Sequence, residues 1–165
     1  MNRKRTEPTS GGAAARGLRI AIVVSRFNED VTARLLHGAE ECLKKSGAEE
    51  DDYSVYYCPG SFELPQVANK LASMKSWDAI ICLGAVIKGR TPHFHYISSE
   101  AARGIQDVAL RHSVPVAFGV LTTENEKQAL ERAGGKEGNK GWDAAVTALE
   151  MASLFRSFKR KAKRI

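Results

Sequence analysis

Four short apolar runs, each followed by helical periodicity, constrain this chain more than any other feature. LRIAIVV (18–24), YSVYYC (53–58), DAIICLGAVI (78–87) and VPVAFGVLT (114–122) are rich in β-branched and apolar residues and read as buried strands. Between them the apolar period changes from continuous to 3.6. After the first run, Asn28, Glu29 or Asp30 can cap a helix with Val31, Leu35, Ala39, Cys42 and Leu43 on one face, and Gly47 can end it. Pro59-Gly60 breaks the second run, and SFELPQVANKLASM resumes with Leu64, Val67, Ala68 and Leu71 at helical spacing. TPHFHYISSEAARGIQDVALRH (91–112) predicts a long helix with Thr91 as cap, Pro92 at its first position, and Tyr96, Ile97, Ala101, Ile105, Val108 and Ala109 buried. ENEKQALERAG (124–134) and WDAAVTALEMASLFRSF (142–158) complete the helices.

Strands alternating with helices imply parallel strands joined by right-handed crossovers, with both sheet faces covered. Sites in such sheets lie beyond the carboxyl ends of the strands. The four strands are followed by SRFNE, PGSFE, KGRTPHFH and TTENE, so an aromatic, a carboxylate, a helix start able to hold an anion, and histidines converge on one edge.

The 165 residues suit one domain with one sizeable core. No apolar run reaches the roughly 18–20 residues of a membrane span, and no apolar segment of signal-peptide type follows the basic start, so a cytoplasmic location is expected. Cys42, Cys58 and Cys82 are odd in number, lack CxxC spacing and sit in apolar patterns, as buried thiols of a reducing compartment do. The net charge of +6 gathers in MNRKR and FKRKAKRI at the two ends. Without interleaved aromatics or a nucleic-acid motif, these ends read as solvated termini, and neither nucleic acid nor membrane is expected as a partner. Residues 1–17 read as a flexible or partner-ordered segment, 18–158 as the folded domain, and 159–165 as a basic tail.

Each candidate residue admits a plain reading beside a functional one. Thr91-Pro92 is an ordinary helix start, yet its free first-turn amides suit a phosphate. Gly89 permits close approach of a ligand to the backbone. His93 can move a proton beside that phosphate or stand merely exposed, and His95, two positions on, cannot share its face. Phe27 can stack on a planar heterocycle or pack in a core. Glu63 can accept from hydroxyls or favour a helix dipole. Arg132 can clamp a phosphate or settle a helix C-terminus. GGKEGNKG can embrace an anion but lacks the order of a P-loop, and GxGxxG is absent.

From about Leu18 to Phe158 the chain closely resembles the 6,7-dimethyl-8-ribityllumazine synthases. The segments SRFN, PGSFELP, LGAVIKGRTPHF, FGVLTTEN, QALERAGGKEGNKG and ALEMA carry the resemblance, in the family's order and near its spacing. It implies a flavodoxin-like three-layer α/β/α sandwich on a four-stranded parallel sheet. It implies condensation of 5-amino-6-(D-ribitylamino)uracil with 3,4-dihydroxy-2-butanone 4-phosphate, a transferase step of riboflavin biosynthesis that releases phosphate and water without metal or organic cofactor. Phe27 is then expected to stack on the pyrimidine. Ser61, Phe62 and Glu63 hold the ribitylaminouracil, and Ala85, Val86 and Ile87 line its ring site. Arg90 and Thr91 form the phosphate site, and His93 shuttles protons. Phe118 and Arg132 come from the adjacent subunit, Arg132 to bind phosphate.

The resemblance also implies homopentamers. The short AGGKEGNKG connection leans towards a sixty-subunit icosahedral shell of pentamers, with riboflavin synthase as a candidate partner. Three positions depart from the family pattern: Arg90 where Ala is common, His95 where Asp is common, and Gly135 where Thr is common, the last expected to loosen its loop. A riboflavin synthase of archaeal type on the same fold, or a non-catalytic flavin-binding or shell-forming protein, are the competing readings. The PGSFELP and GNKG segments favour the first reading over the archaeal type, and Phe27, Glu63, His93 and Arg132 together favour it over a decayed site.

Overall fold

The computed structural model of the chain describes residues 15–162. The first fourteen residues and the last three therefore lie outside the described residues, and with them most of the expected N-terminal segment. Four strands, β1 (Ile20–Ser25), β2 (Tyr53–Cys58), β3 (Ala79–Ile87) and β4 (Val116–Thr123), form one parallel sheet in the order β2-β1-β3-β4. Helices α1 (Glu29–Lys45), α2 (Leu64–Ser73), α3 (His93–His112), α4 (Glu126–Arg132) and α5 (Lys140–Ala162) accompany it. The fold is the flavodoxin-like α/β sandwich that the strand–helix alternation and the family resemblance anticipate.

Successive residues of a strand point to opposite faces, so each strand serves two cores. Ile20, Ile22 and Val24 of β1 and Ile81, Leu83 and Ala85 of β3 pack with Leu35, Ala39, Leu43, Ala145 and Leu149 of α1 and α5. Ala21 and Val23 of β1 and Ile80, Cys82 and Val86 of β3 pack with Leu64, Ala68, Leu71, Ile105 and Val108 of α2 and α3. This double burial explains why β1 and β3 read as unbroken apolar runs rather than alternating ones.

Helix ends differ from the sequence reading in instructive ways. Thr91 does not cap α3: Pro92 occupies the cap position with φ −64° and ψ −6°, no side chain caps the helix, and the Pro92 carbonyl accepts from the His95 amide at 3.0 Å. Pro92 already has the helical φ its ring imposes, so the turn starts there and Thr91 stays outside it. Tyr96 is exposed, not buried. The buried stripe runs back from Val108, Ile105 and Ala101 through Ile97 to the half-buried Phe94. Ser61–Glu63 form a 3-10 turn ahead of α2, and α5 continues past Phe158 to Ala162.

Between α4 and α5 lies an antiparallel hairpin absent from the sequence reading, β5 (Ala133–Gly135) and β6 (Gly138–Asn139). It accounts for GNKG. Asn139 Oδ1 accepts from the Gly141 amide at 2.8 Å and the Trp142 amide at 3.3 Å, and its Nδ2 donates to the Arg34 carbonyl at 2.9 Å. One side chain thus serves the start of α5 and binds it to α1. The approach is so close that a Cβ on Gly141 would stand 1.8 Å from the Leu35 carbonyl oxygen, and one on Gly38 would stand 2.3 Å from Asn139. Both contacts oppose any larger residue, and the Leu35 contact is with backbone that cannot rotate away. Gly141→Ala is expected to destabilise the protein by about 3 kcal/mol, the upper part of the range for overpacking, read as a lower denaturant midpoint at unchanged slope.

Candidate active site

The β1–β3 ladder ends at Val24 and Leu83, while β3 runs on to Ile87 paired with β4 alone. That projecting strand end is the floor of a cleft of 650 Å³. Ala85, Val86 and Ile87 supply the floor, Phe27 and Asn28 come from the turn after β1, and Gly60, Ser61, Phe62 and Glu63 from the turn after β2. Gly89, Thr91, His93, Phe94 and Ile97 close the side where α3 begins. The turn after β2 reaches the floor because β3 carries glycine beneath it: a Cβ on Gly84 would lie 2.6 Å from Ser61 Oγ and 3.0 Å from Leu64 Cδ1.

The walls differ in character. Phe27 and Phe62 expose 69% and 48% of their surface, which removes the core-packing reading for Phe27. Ser61 is buried and its hydroxyl has no hydrogen-bond partner among the described residues. Glu63 is half-buried, and among the described residues its carboxylate has no hydrogen-bond or ion-pair partner. At the α3 start the His93 and Phe94 amides likewise have no acceptor among the described residues, so first-turn amides are free even though Thr91 does not cap the helix. His93 is exposed and lines the cleft. His95 does not line it, and its ring sits edge-on to Phe94 with centroids 5.3 Å apart.

Not every expected residue meets there. Phe118 and Arg132 line a second cavity of 440 Å³ along β4, with Lys140 and Asp143 at the start of α5. Arg132 Nη1 donates to the Gln128 carbonyl one turn back at 3.1 Å, so it does serve the end of its helix. Arg90 lies between Gly89 and Thr91 but lines neither cavity. The first cleft has no arginine or lysine among its lining residues, whereas the second offers Arg132 and Lys140.

The three thiols are buried and free. Burial pushes Cys58 up to about 11, with Glu63 adding to the rise, and raises Cys42 and Cys82 in the same direction. None is a thiolate nucleophile near neutral pH. Among the described residues, no helix is long and apolar enough to cross a membrane.

A sequence profile of 6,7-dimethyl-8-ribityllumazine synthase matches residues 17–156. The chain is 56% identical over 148 residues to the 6,7-dimethyl-8-ribityllumazine synthase of Syntrophus aciditrophicus, covering 90% of this chain and 96% of that one. It is 53% identical over 146 residues to the protein of that name from Clostridium kluyveri, with 88% and 95% covered. A third, from Chlorobium phaeovibrioides, is 53% identical over 147 residues, with 89% and 95% covered. The chain belongs to the 6,7-dimethyl-8-ribityllumazine synthase family.

All the segments that carry the lumazine synthase resemblance except ALEMA divide between the two cavities. SRFN, PGSFELP and LGAVIKGRTPHF supply the first, and FGVLTTEN, QALERAGG and GNKG the second. Sequence reasoning passed over Asn28, Phe94, Ile97 and Lys140 as lining residues. Asn28 was legible only as a cap, and Phe94 and Ile97 only as helix stripe. Lys140 lies inside the GGKEGNKG loop, which reads as able to embrace an anion without singling out any one residue.

Proposed function

We propose that this chain condenses 5-amino-6-(D-ribitylamino)uracil with 3,4-dihydroxy-2-butanone 4-phosphate to 6,7-dimethyl-8-ribityllumazine, releasing phosphate and water. The observation that carries the reading is the cleft itself. Nine of the twelve residues expected to bind or transform substrate line it: Phe27, Ser61, Phe62, Glu63, Ala85, Val86, Ile87, Thr91 and His93. Family membership supplies the reaction, and the cleft supplies surfaces that suit it.

The exposed Phe27 ring offers a flat face to the pyrimidine. The unpartnered Glu63 carboxylate can accept from ribityl hydroxyls, and the apolar floor at Ala85–Ile87 leaves the heterocycle few polar competitors. The free amides at the start of α3, with the positive helix end, suit the phosphate of the second substrate. The pyrimidine's amine attacks the ketone to form an imine with loss of one water, phosphate leaves by β-elimination, and ring closure expels a second water. Protons move at each step, and His93 stands in the first turn of the same helix to carry them. Holding two substrates in one cleft converts a bimolecular encounter into a unimolecular one.

A phosphate dianion asks for a cation that the cleft does not contain. Arg132, with Phe118 and Lys140, lies in the other cavity, which suits a second copy whose β4 side closes the cleft of the first. We therefore read the active unit as a homopentamer with sites between neighbours, assembling to the sixty-subunit shell, working in the cytoplasm as its buried free thiols suit, with riboflavin synthase as a candidate partner. Arg90, outside both cavities, meets a bound phosphate through its backbone alone, and its exposed side chain acts on it only at a distance.

The purified protein supplied with both substrates is expected to form a fluorescent lumazine, and folded protein that forms none contradicts the reading. His93→Ala should lower kcat roughly tenfold to a hundredfold while leaving assembly intact. Arg132→Ala should raise KM for the butanone phosphate by about tenfold, as loss of a charged hydrogen bond does, with a smaller effect on the pyrimidine; equal effects contradict its assignment to phosphate. Light scattering of the native protein should give the mass of sixty subunits, and a mass of one or two pentamers rules out the closed shell.

A further inference from the structure

Asn28 is the first residue of the α1 turn, and asparagine there ordinarily bonds its side chain to the helix amides. Here it does not. Its backbone is left-handed, φ 61° and ψ 49°, and its side chain makes no capping bond. The Asn28 carbonyl alone starts the helix, accepting from the Val31 and Thr32 amides at 3.0 Å each. The side chain reaches across the sheet instead, and Nδ2 donates to the Ala85 carbonyl at 2.9 Å. Beyond Leu83 that edge of β3 has no β1 residue to pair with. The Asn28 amide stands in for the missing strand.

The neighbouring residues are held from the other side. The Arg26 amide donates to the Cys58 carbonyl at 2.9 Å and the Phe27 amide to the Pro59 carbonyl at 3.1 Å. The Phe27 ring is 69% exposed, so no core packing fixes it. Its position follows from the backbone beneath it, and beyond the end of the β1–β3 ladder the Asn28 amide is, among the described residues, the one hydrogen bond from that turn to β3.

We propose that Asn28 is a positioning residue for the pyrimidine substrate: its amide bond to Ala85 sets the Phe27 platform over the cleft floor. The assignment rests on the function proposed above. Asn28→Gly keeps the left-handed conformation at no steric cost and removes only the amide. Asn28→Asp keeps size and turn preference but replaces the donor with an acceptor. Each variant is expected to raise KM for the pyrimidine by about tenfold, as lost preorganisation does, with kcat and KM for the butanone phosphate within about threefold of wild type. In a double-mutant cycle, Phe27→Ala/Asn28→Gly should lose no more than Phe27→Ala alone, because Asn28 acts through that ring.

Hydrogen exchange of the unliganded protein gives a reading free of activity. Amides of residues 26–28 and 85–87 should exchange faster in both variants, with the rest of the sheet unchanged. Unchanged exchange in those two segments overturns the proposal, as does a KM within twofold of wild type or fully additive losses in the cycle. Failure of both variants to fold also overturns it, since Asn28 would then be a residue of the fold and not of the site. A wild-type protein that makes no lumazine overturns the function instead, and the exchange result still decides what Asn28 holds in place.

Discussion

The site depends on one mismatch of strand lengths. β3 outlasts its pairing with β1 by the four residues Gly84–Ile87, which remain bonded to β4 on one side and open on the other. An open strand edge carries polar groups that must find partners, and it attracts whatever chain lies within reach. Here the turns after β1 and β2 fold over it. The Asn28 amide meets the Ala85 carbonyl, and the Ser61 turn settles on the face of Gly84, where any side chain would collide with Ser61 Oγ. The cleft is the space left between those turns and the first turn of α3. Its aromatic, carboxylate and imidazole groups therefore come from three separate crossovers, yet all are fixed relative to one strand.

This origin explains what could be read from the sequence. β1 and β3 were legible because double burial demands unbroken apolar runs. The position of the cleft was legible too, because parallel strands share one carboxyl edge. Side-chain roles that depend on local spacing followed from there: His93 and His95 are two apart on a helix, and only His93 lines the cleft. Contacts between distant residues leave no local pattern. Asn28 and Ala85 are separated by 57 residues, and a single amide between them has no period to betray it. The same holds for Asn139 and Arg34, 105 residues apart. Thr91 failed as a cap for a different reason: two adjacent residues each favour the start of a helix, and Pro92, with its φ already set, takes the position.

The second cavity is held by equally tight geometry. Asn139 joins the β5–β6 hairpin to α1 and begins α5 at Lys140, so the hairpin, the Lys140 charge and the α1–α5 contact form one unit. Gly135 belongs to it and is closely enclosed by the end of α4. A Cβ there would lie 2.7 Å from Glu131 Cα and 2.9 Å from the Leu130 carbonyl oxygen. The glycine lets the hairpin press against the end of α4, where the Glu137 amide donates to the Glu131 carbonyl at 2.9 Å. Arg132 projects from between these contacts. A larger residue at 135 would shift the hairpin relative to Arg132.

The other two departures act differently because neither side chain faces the cleft. His95 packs edge-on to Phe94, itself a lining residue, so its shape reaches the site through that ring while its charge reaches it only as a field. Arg90 adds an exposed cation beside the free amides of α3. An exposed charge attracts an anion at long range and is screened within about 10 Å at moderate salt. A charge so placed would bear on how fast a phosphate arrives more than on how tightly it is held, and its effect would fade with ionic strength. The two positions thus differ in reach: His95 touches a residue that lines the cleft, and Arg90 acts only through its field.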